Sequence, residues 1–218
     1  MYNDVVKHLR VLDASLNAQQ MYRMLSVVDE KTRKGISTGV LGLSLILCLA
    51  ALFGPYWLTL NGYEGNFLAS WSLDEAQLEL GDERSTDSLS ELCELEEEMV
   101  GSSYADTCDI ARAGAFATVF LWLGVLSTSL AIVRAVLPPD GVEWVDDNVP
   151  EIAQSIVAWS GGSLMLVGVV VWYLLLPDIG SVDVGGSAYL ALFAGVLGLG
   201  SVVVETYEID VNIARRER

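Results

Sequence analysis

Residues 35–63 run for 29 positions without one charged side chain: GISTGVLGLSLILCLAALFGPYWLTLNGY. The hydrocarbon core of a bilayer is about 30 Å thick, so about 20 apolar residues in a helix cross it. No soluble domain needs so long a run, and the stretch reads as a membrane-spanning helix. Residues 113–133, 152–177 and 184–204 also lack Asp, Glu, Lys and Arg, and each is long enough to span. The expected fold is a membrane all-α four-helix bundle, with a small extracellular α+β domain of short antiparallel strands plus one helix. Its parts are a cytoplasmic segment 1–34, spans at 35–60, 111–137, 152–177 and 184–206, an acidic outer domain 61–110, a cytoplasmic loop 138–151, a short outer hairpin 178–183 and a cytoplasmic tail 207–218.

Orientation follows from the basic residues. Lys31, Arg33 and Lys34 abut the first span, and basic residues flanking a span stay cytoplasmic. The N-terminus is therefore expected inside, and four crossings return the C-terminus to the same side. Arg134, Arg215, Arg216 and Arg218 agree; the loop after the second span carries acids only and does not decide. Near Met1 there is no short apolar stretch, so no cleavable signal peptide is expected. In the first segment Val5, Leu9, Leu12 and Leu16, then Met21, Met24, Leu25 and Val28, recur at helical spacing. That amphipathic helix suits two roles: binding the membrane surface or a partner, or packing under the membrane domain.

Between the first two spans, residues 61–110 hold 14 acids against Arg84 alone. Asn61-Gly62 after Tyr56-Trp57-Leu58-Thr59-Leu60 signals a tight hairpin, because both turn positions take positive φ. The partner strand is expected between Tyr63 and Leu73, and a third around Leu78 and Leu80. Residues 82–87 read as a polar loop. Ser88 and Glu91 have capping-box spacing, so a helix is expected over 89–100. Tyr56, Trp57, Tyr63, Phe67 and Trp71 fit either membrane-interface anchoring or a recognition surface.

The second span is expected to start at Arg112 and stop at Pro138-Pro139. In the fourth, Ser187, Ala191 and Gly195 recur at intervals of four, as do Ala194 and Gly198. Small residues let helix backbones approach closely in lipid. The stripe serves packing within the bundle or an oligomer interface.

Chemistry-bearing residues are few. Cys48 lies in the first span as apolar filler. Cys93 and Cys108, 15 positions apart in the outer domain, are expected to form a disulfide, since paired thiols outside the cytoplasm normally oxidise. A membrane thiol-redox protein is an alternative, but such proteins use Cys-x-x-Cys pairs with activated thiolates, and none is present. The acids around Glu94, Glu96, Glu97, Glu98, Asp106 and Asp109 lack EF-hand spacing and read as a solvated face; no metal ligand set is assigned. His8 is the single histidine, which removes His-based hydrolytic triads and multi-His metal sites. No glycine-rich phosphate loop is present, and the spans hold no Asp, Glu, Lys or Arg of the kind that marks proton and ion pathways. Neither catalytic residue nor cofactor is expected.

The whole chain of 218 residues carries 29 acids against 12 bases, for a formal charge of −17. Only three of the bases are lysine. The composition resembles that of salt-adapted, haloarchaeal-type proteins. An acidic surface repels nucleic-acid phosphates, which excludes nucleic-acid binding.

The plan resembles the claudin and peripheral-myelin-protein superfamily of four-span proteins. Trp57 at the end of the first span and Trp71 in Asn66-Phe67-Leu68-Ala69-Ser70-Trp71-Ser72 are similar to that family's Trp…Gly-Leu-Trp pattern, with Ala69-Ser70 in place of Gly-Leu. Cys93 and Cys108 are similar to its loop disulfide, although the first cysteine falls further behind Trp71 and the two are further apart. Ala111-Arg112-Ala113 resembles the family's entry into the second span. The resemblance implies a non-enzymatic protein of the plasma membrane that acts through contacts: adhesion, lateral assembly, or partnership with other membrane proteins. Besides the lipid bilayer, the expected partners are further copies of the chain or other membrane proteins. The competing expectation is an oligomeric channel or transporter whose acidic loop concentrates cations at its mouth.

Overall fold

A computed structural model describes residues 34–61, 67–80, 83–100, 106–177 and 182–216. The amphipathic stretch expected before Lys34 lies outside these residues, as do Gly62 and Tyr63. In chain order the elements are α1 (Lys34–Leu52), β1 (Leu58–Asn61), β2 (Phe67–Trp71), β3 (Glu75–Leu80), β4 (Glu83–Ser88), α2 (Leu89–Val100), α3 (Asp106–Val136), α4 (Pro139–Asn148), α5 (Glu151–Leu175), β5 (Asp183–Val184) and α6 (Gly186–Arg216).

Four helices, α1, α3, α5 and α6, are long and apolar enough to cross a membrane. Less than half of each one's most apolar stretch is buried inside the molecule. The remainder, including Leu43, Ile152 and Leu174, is exposed, as expected of helices that are apolar all round. α3 packs along α5 and α5 along α6. α1 is held to α6 by Ser44, whose buried hydroxyl donates to the Ala194 carbonyl at 2.7 Å. Cys48, Ala51, Leu121, Met165, Ala191 and Ala194 fill the interior and have no exposed surface.

The α5–α6 crossing is set by absent side chains. A Cβ on Gly162 would stand 2.5 Å from the Leu199 nitrogen and 2.7 Å from the Gly195 carbonyl oxygen. Both are backbone atoms that cannot swing aside. A second close approach lies at the sheet, where the Leu73 carbonyl sits against Gly114 of α3 in the space a Cβ would occupy. On α3 the Thr128 hydroxyl is buried with no hydrogen-bond partner among the described residues.

One antiparallel sheet of order β4-β3-β2-β1-β5 closes the end of the bundle where α1 and α5 stop and α3 and α6 begin. It is larger than the sequence signals indicate. The stretch 82–87, expected as a loop, is largely strand β4, paired with β3 from Glu75↔Ser88 to Leu80↔Glu83. The connection between α5 and α6 supplies β5, with Val184 opposite Leu58 and Asp183 opposite Thr59.

Several expected boundaries move. α1 ends at Leu52, before the expected end of the first span at residue 60, because Gly54 and Pro55 follow and Pro has no N–H to continue the ladder. Of the expected Asn61-Gly62 turn, Gly62 lies outside the described residues, and Asn61 is a strand residue of β1. Trp57 N donates to Trp71 O at 2.8 Å, and in the register that sets, Asn61 is itself paired, opposite Leu68. α3 begins at Asp106, ahead of Arg112. The stretch expected as a loop after it holds α4, which opens on Pro139 in the first turn, where a missing N–H costs nothing.

Two substitutions test this packing. Gly162→Ala is expected to destabilise the bundle by about 1–3 kcal/mol through overpacking. Thr128→Val, which removes an unpartnered buried hydroxyl at constant shape, is expected to leave stability unchanged or raised. Reversible unfolding in mixed micelles measures both.

Candidate interaction site at the sheet end of the bundle

Trp57 joins the sheet to the helices. Its ring is wholly buried. The indole Nε1 donates to the Ala51 carbonyl at 2.8 Å, which also accepts from Gly54 N at 3.2 Å at the end of α1. The ring meets Trp172 of α5 edge to face, with centroids 4.9 Å apart at 71°, a favoured aromatic geometry. Its backbone N–H donates to Trp71 O, and its carbonyl accepts from Gly185 N at 2.8 Å. One residue thus contacts α1, α5, β2 and the β5 connection. Next to it, Tyr56 O accepts from Ser187 N at 2.9 Å, and Tyr56 N donates to Ser187 Oγ at 3.3 Å. A buried Trp57 neither anchors at the membrane interface nor recognises a partner, the two roles that sequence allowed it.

The outward layer is α2 with β3 and β4. Leu89, 1% exposed, plugs the start of α2 into the core, and its N–H donates to Asp74 O at 2.8 Å. Cys93 and Cys108 are disulfide-bonded, with Cα atoms 4.7 Å apart, which staples α2 to the first turn of α3. Glu96 accepts from the Thr107 N–H at 2.9 Å, a carboxylate placed where a helix N-terminus favours negative charge. Glu91, Glu94, Glu97 and Glu98 of α2 and Glu83 and Asp87 of β4 are exposed. The cations here are Arg84, paired with Glu79 at 3.5 Å and donating to Gln77, and Arg112, paired with Asp109 at 3.3 Å. Both pairs are solvent-exposed and worth about 0–1 kcal/mol. The surface is therefore strongly acidic, and its described cations are already engaged with acids. Glu97 stands within 4.8 Å of both sulfurs, but thiols spent in a disulfide do not make a metal donor set.

A cleft of about 290 Å³ opens where this layer meets the bundle. Leu52, Phe53 and Pro55 at the end of α1 and Thr118 and Trp122 of α3 form one wall. Ser72, Leu73, Asp74, Glu75 and Gln77 of the β2–β3 turn form the other. The Ser72 hydroxyl organises that turn, accepting from Asp74 N at 3.2 Å and Glu75 N at 2.8 Å while donating to Asp74 Oδ1 at 2.9 Å.

The residues singled out from sequence fall into separate places. Trp71 is half-buried against the core beside Trp57. Arg112 is on the surface of α3. Ser187 is buried against the Tyr56 backbone, and Ala191 and Ala194 have no exposed surface. Gly195 and Gly198 face Gly162 across the α5–α6 crossing. Sequence reasoning missed the cleft, because its walls are far apart in the chain. The Gly54-Pro55 break was the signal that α1 ends there and exposes a rim.

No protein-family model matches the chain, and comparison with curated proteins finds no significant relative.

Trp57→Phe keeps an aromatic ring but removes the bond to Ala51, whose carbonyl retains Gly54 N, and leaves part of the indole volume empty. It is expected to cost about 1–3 kcal/mol, through one lost hydrogen bond and a small cavity, against about 3–5 kcal/mol for Trp57→Ala. Replacing both cysteines of the staple by serine is expected to cost about 3 kcal/mol on the chain-entropy account of a loop this size. Thermal unfolding in detergent, reduced and oxidised, checks both.

Proposed function

We propose that the chain is a multi-pass plasma-membrane protein, claudin-like in layout, with cytoplasmic termini and an outward-facing sheet end. It acts through protein contacts: cell-surface adhesion, lateral assembly or service as an auxiliary subunit. The observation that carries this reading is the head itself: sheet, α2 and staple build a tied, acidic surface, while the spans beneath carry packing residues and no ionisable pathway. The basic cluster at Lys31, Arg33 and Lys34 supports the orientation. So does the disulfide at the opposite end of α1, since disulfides persist in oxidising compartments. Homologous claudin ancestry and a salt-adapted source are parts of the same proposal, resting on the Trp57, Trp71, Cys93, Cys108 and Arg112 pattern and on the Lys-poor acidic composition.

Zero-length cross-linking in intact cells, followed by mass spectrometry, tests the contact role. The expected result is links from acids of α2 to lysines of a neighbouring protein, lost by at least tenfold when Glu91, Glu94, Glu97 and Glu98 are changed to Gln. A chain that stays monomeric in nanodiscs and gives no links in cells overturns the reading. Ser85→Cys, on exposed β4, is expected to react with an impermeant maleimide from outside intact cells, while buried Cys48 does not; labelling of Ser85→Cys only after lysis reverses the orientation.

A further inference from the structure

The cleft between the β2–β3 turn and the bundle has walls of opposite character. On one side Phe53 and Trp122 meet edge to face, with centroids 6.2 Å apart. Phe53 is 75% exposed and Trp122 42%; Trp122 lies on α3 and Phe53 directly follows α1, two helices long and apolar enough to cross a membrane. On the other side Asp74 and Glu75 are exposed, and neither forms an ion pair among the described residues.

The two hydroxyl hydrogens of the cleft are spent. Thr118 donates to Gly114 O at 2.9 Å, and the Ser72 hydroxyl donates within its own turn. Gln77 accepts from Arg84, which Glu79 also holds. The charges left uncompensated are the two carboxylates. A phosphate head would therefore meet negative charge, whereas an ammonium group would meet its complement. Aromatic faces next to the acids add attraction for a cation. The apolar wall continues down the exposed side of α3 through Val119, Leu123 and Leu126, where an alkyl chain finds partners.

We propose that this cleft binds an amphiphile with a cationic head and an alkyl chain, its ammonium group at Asp74 and Glu75 and its chain over Phe53 and Trp122. This rests on the helices lying in a bilayer and is independent of the protein-contact role.

The test is native mass spectrometry of the full chain in neutral detergent with three probes of one chain length: oleylammonium, oleyl alcohol and oleate. Oleylammonium is expected to bind at least tenfold more tightly than the other two. That preference is expected to vanish in Asp74→Asn/Glu75→Gln and to survive in the variant with Glu91, Glu94, Glu97 and Glu98 changed to Gln. Phe53→Ala is expected to weaken oleylammonium by about tenfold. Equal binding of the three probes overturns the proposal. So does an ammonium preference abolished equally by the α2 changes, because the overall acidity of the chain would then explain it. Butylammonium binding as well as oleylammonium overturns the amphiphile and assigns the site to a soluble cation. The cross-linking result does not bear on any of these outcomes.

Discussion

The buried indole of Trp57 is the constraint on which the rest of the structure depends. A helix that ends inside a protein leaves carbonyls that need donors. At Ala51 the indole N–H supplies a second donor beside Gly54 N–H, and its ring then fills the space beside Trp172. With the side chain so fixed, the backbone of the same residue is presented to Trp71 on one side and Gly185 on the other. The sheet therefore begins at a fixed height and rotation relative to the helices. β2, β3 and β4 follow from that register, and α2 follows from β4.

Below this joint the bundle holds together by proximity rather than by polar bonds. Gly162 lets α6 approach α5, Gly114 admits the Leu73 carbonyl, and Ser44 reaches Ala194. Lipid gives helices no hydrophobic incentive to associate, so close packing and occasional interhelical hydrogen bonds carry the association. Charge is partitioned in the opposite way. The described spans keep it at their ends, and the head concentrates acids on α2 and β4, where water solvates them.

The helical half of this architecture was legible in sequence because length and apolarity alone decide whether a segment can span. The cysteine pair was legible for the same kind of reason: two thiols in one short segment. The sheet was only partly so. β4 reads Glu-Arg-Ser-Thr-Asp-Ser, with no apolar alternation, because its residues are exposed and only its pairing to β3 makes it a strand. β5 is two residues long, too short for any periodic signal. Asn61 misled because its turn preference lost to the register fixed at Trp57, which pairs it with Leu68. Trp57 itself was noticed, but a lone sequence does not say whether an aromatic at the end of a span faces lipid or is swallowed by the fold. The cleft was invisible, since Phe53, Asp74 and Trp122 meet only after the sheet folds back on the bundle.

The pairing of β5 with β1 bears on how the molecule is made. β1 emerges from the ribosome early, and its outer edge has no strand beside it until the link between α5 and α6 has been synthesised. Contacts of such long sequence separation close late. A nascent chain arrested before α6 would display an open strand edge, the sort of surface that recruits stray chains. The sheet is thus complete only once Val184 has been made, although four of its five strands precede α3 in the chain.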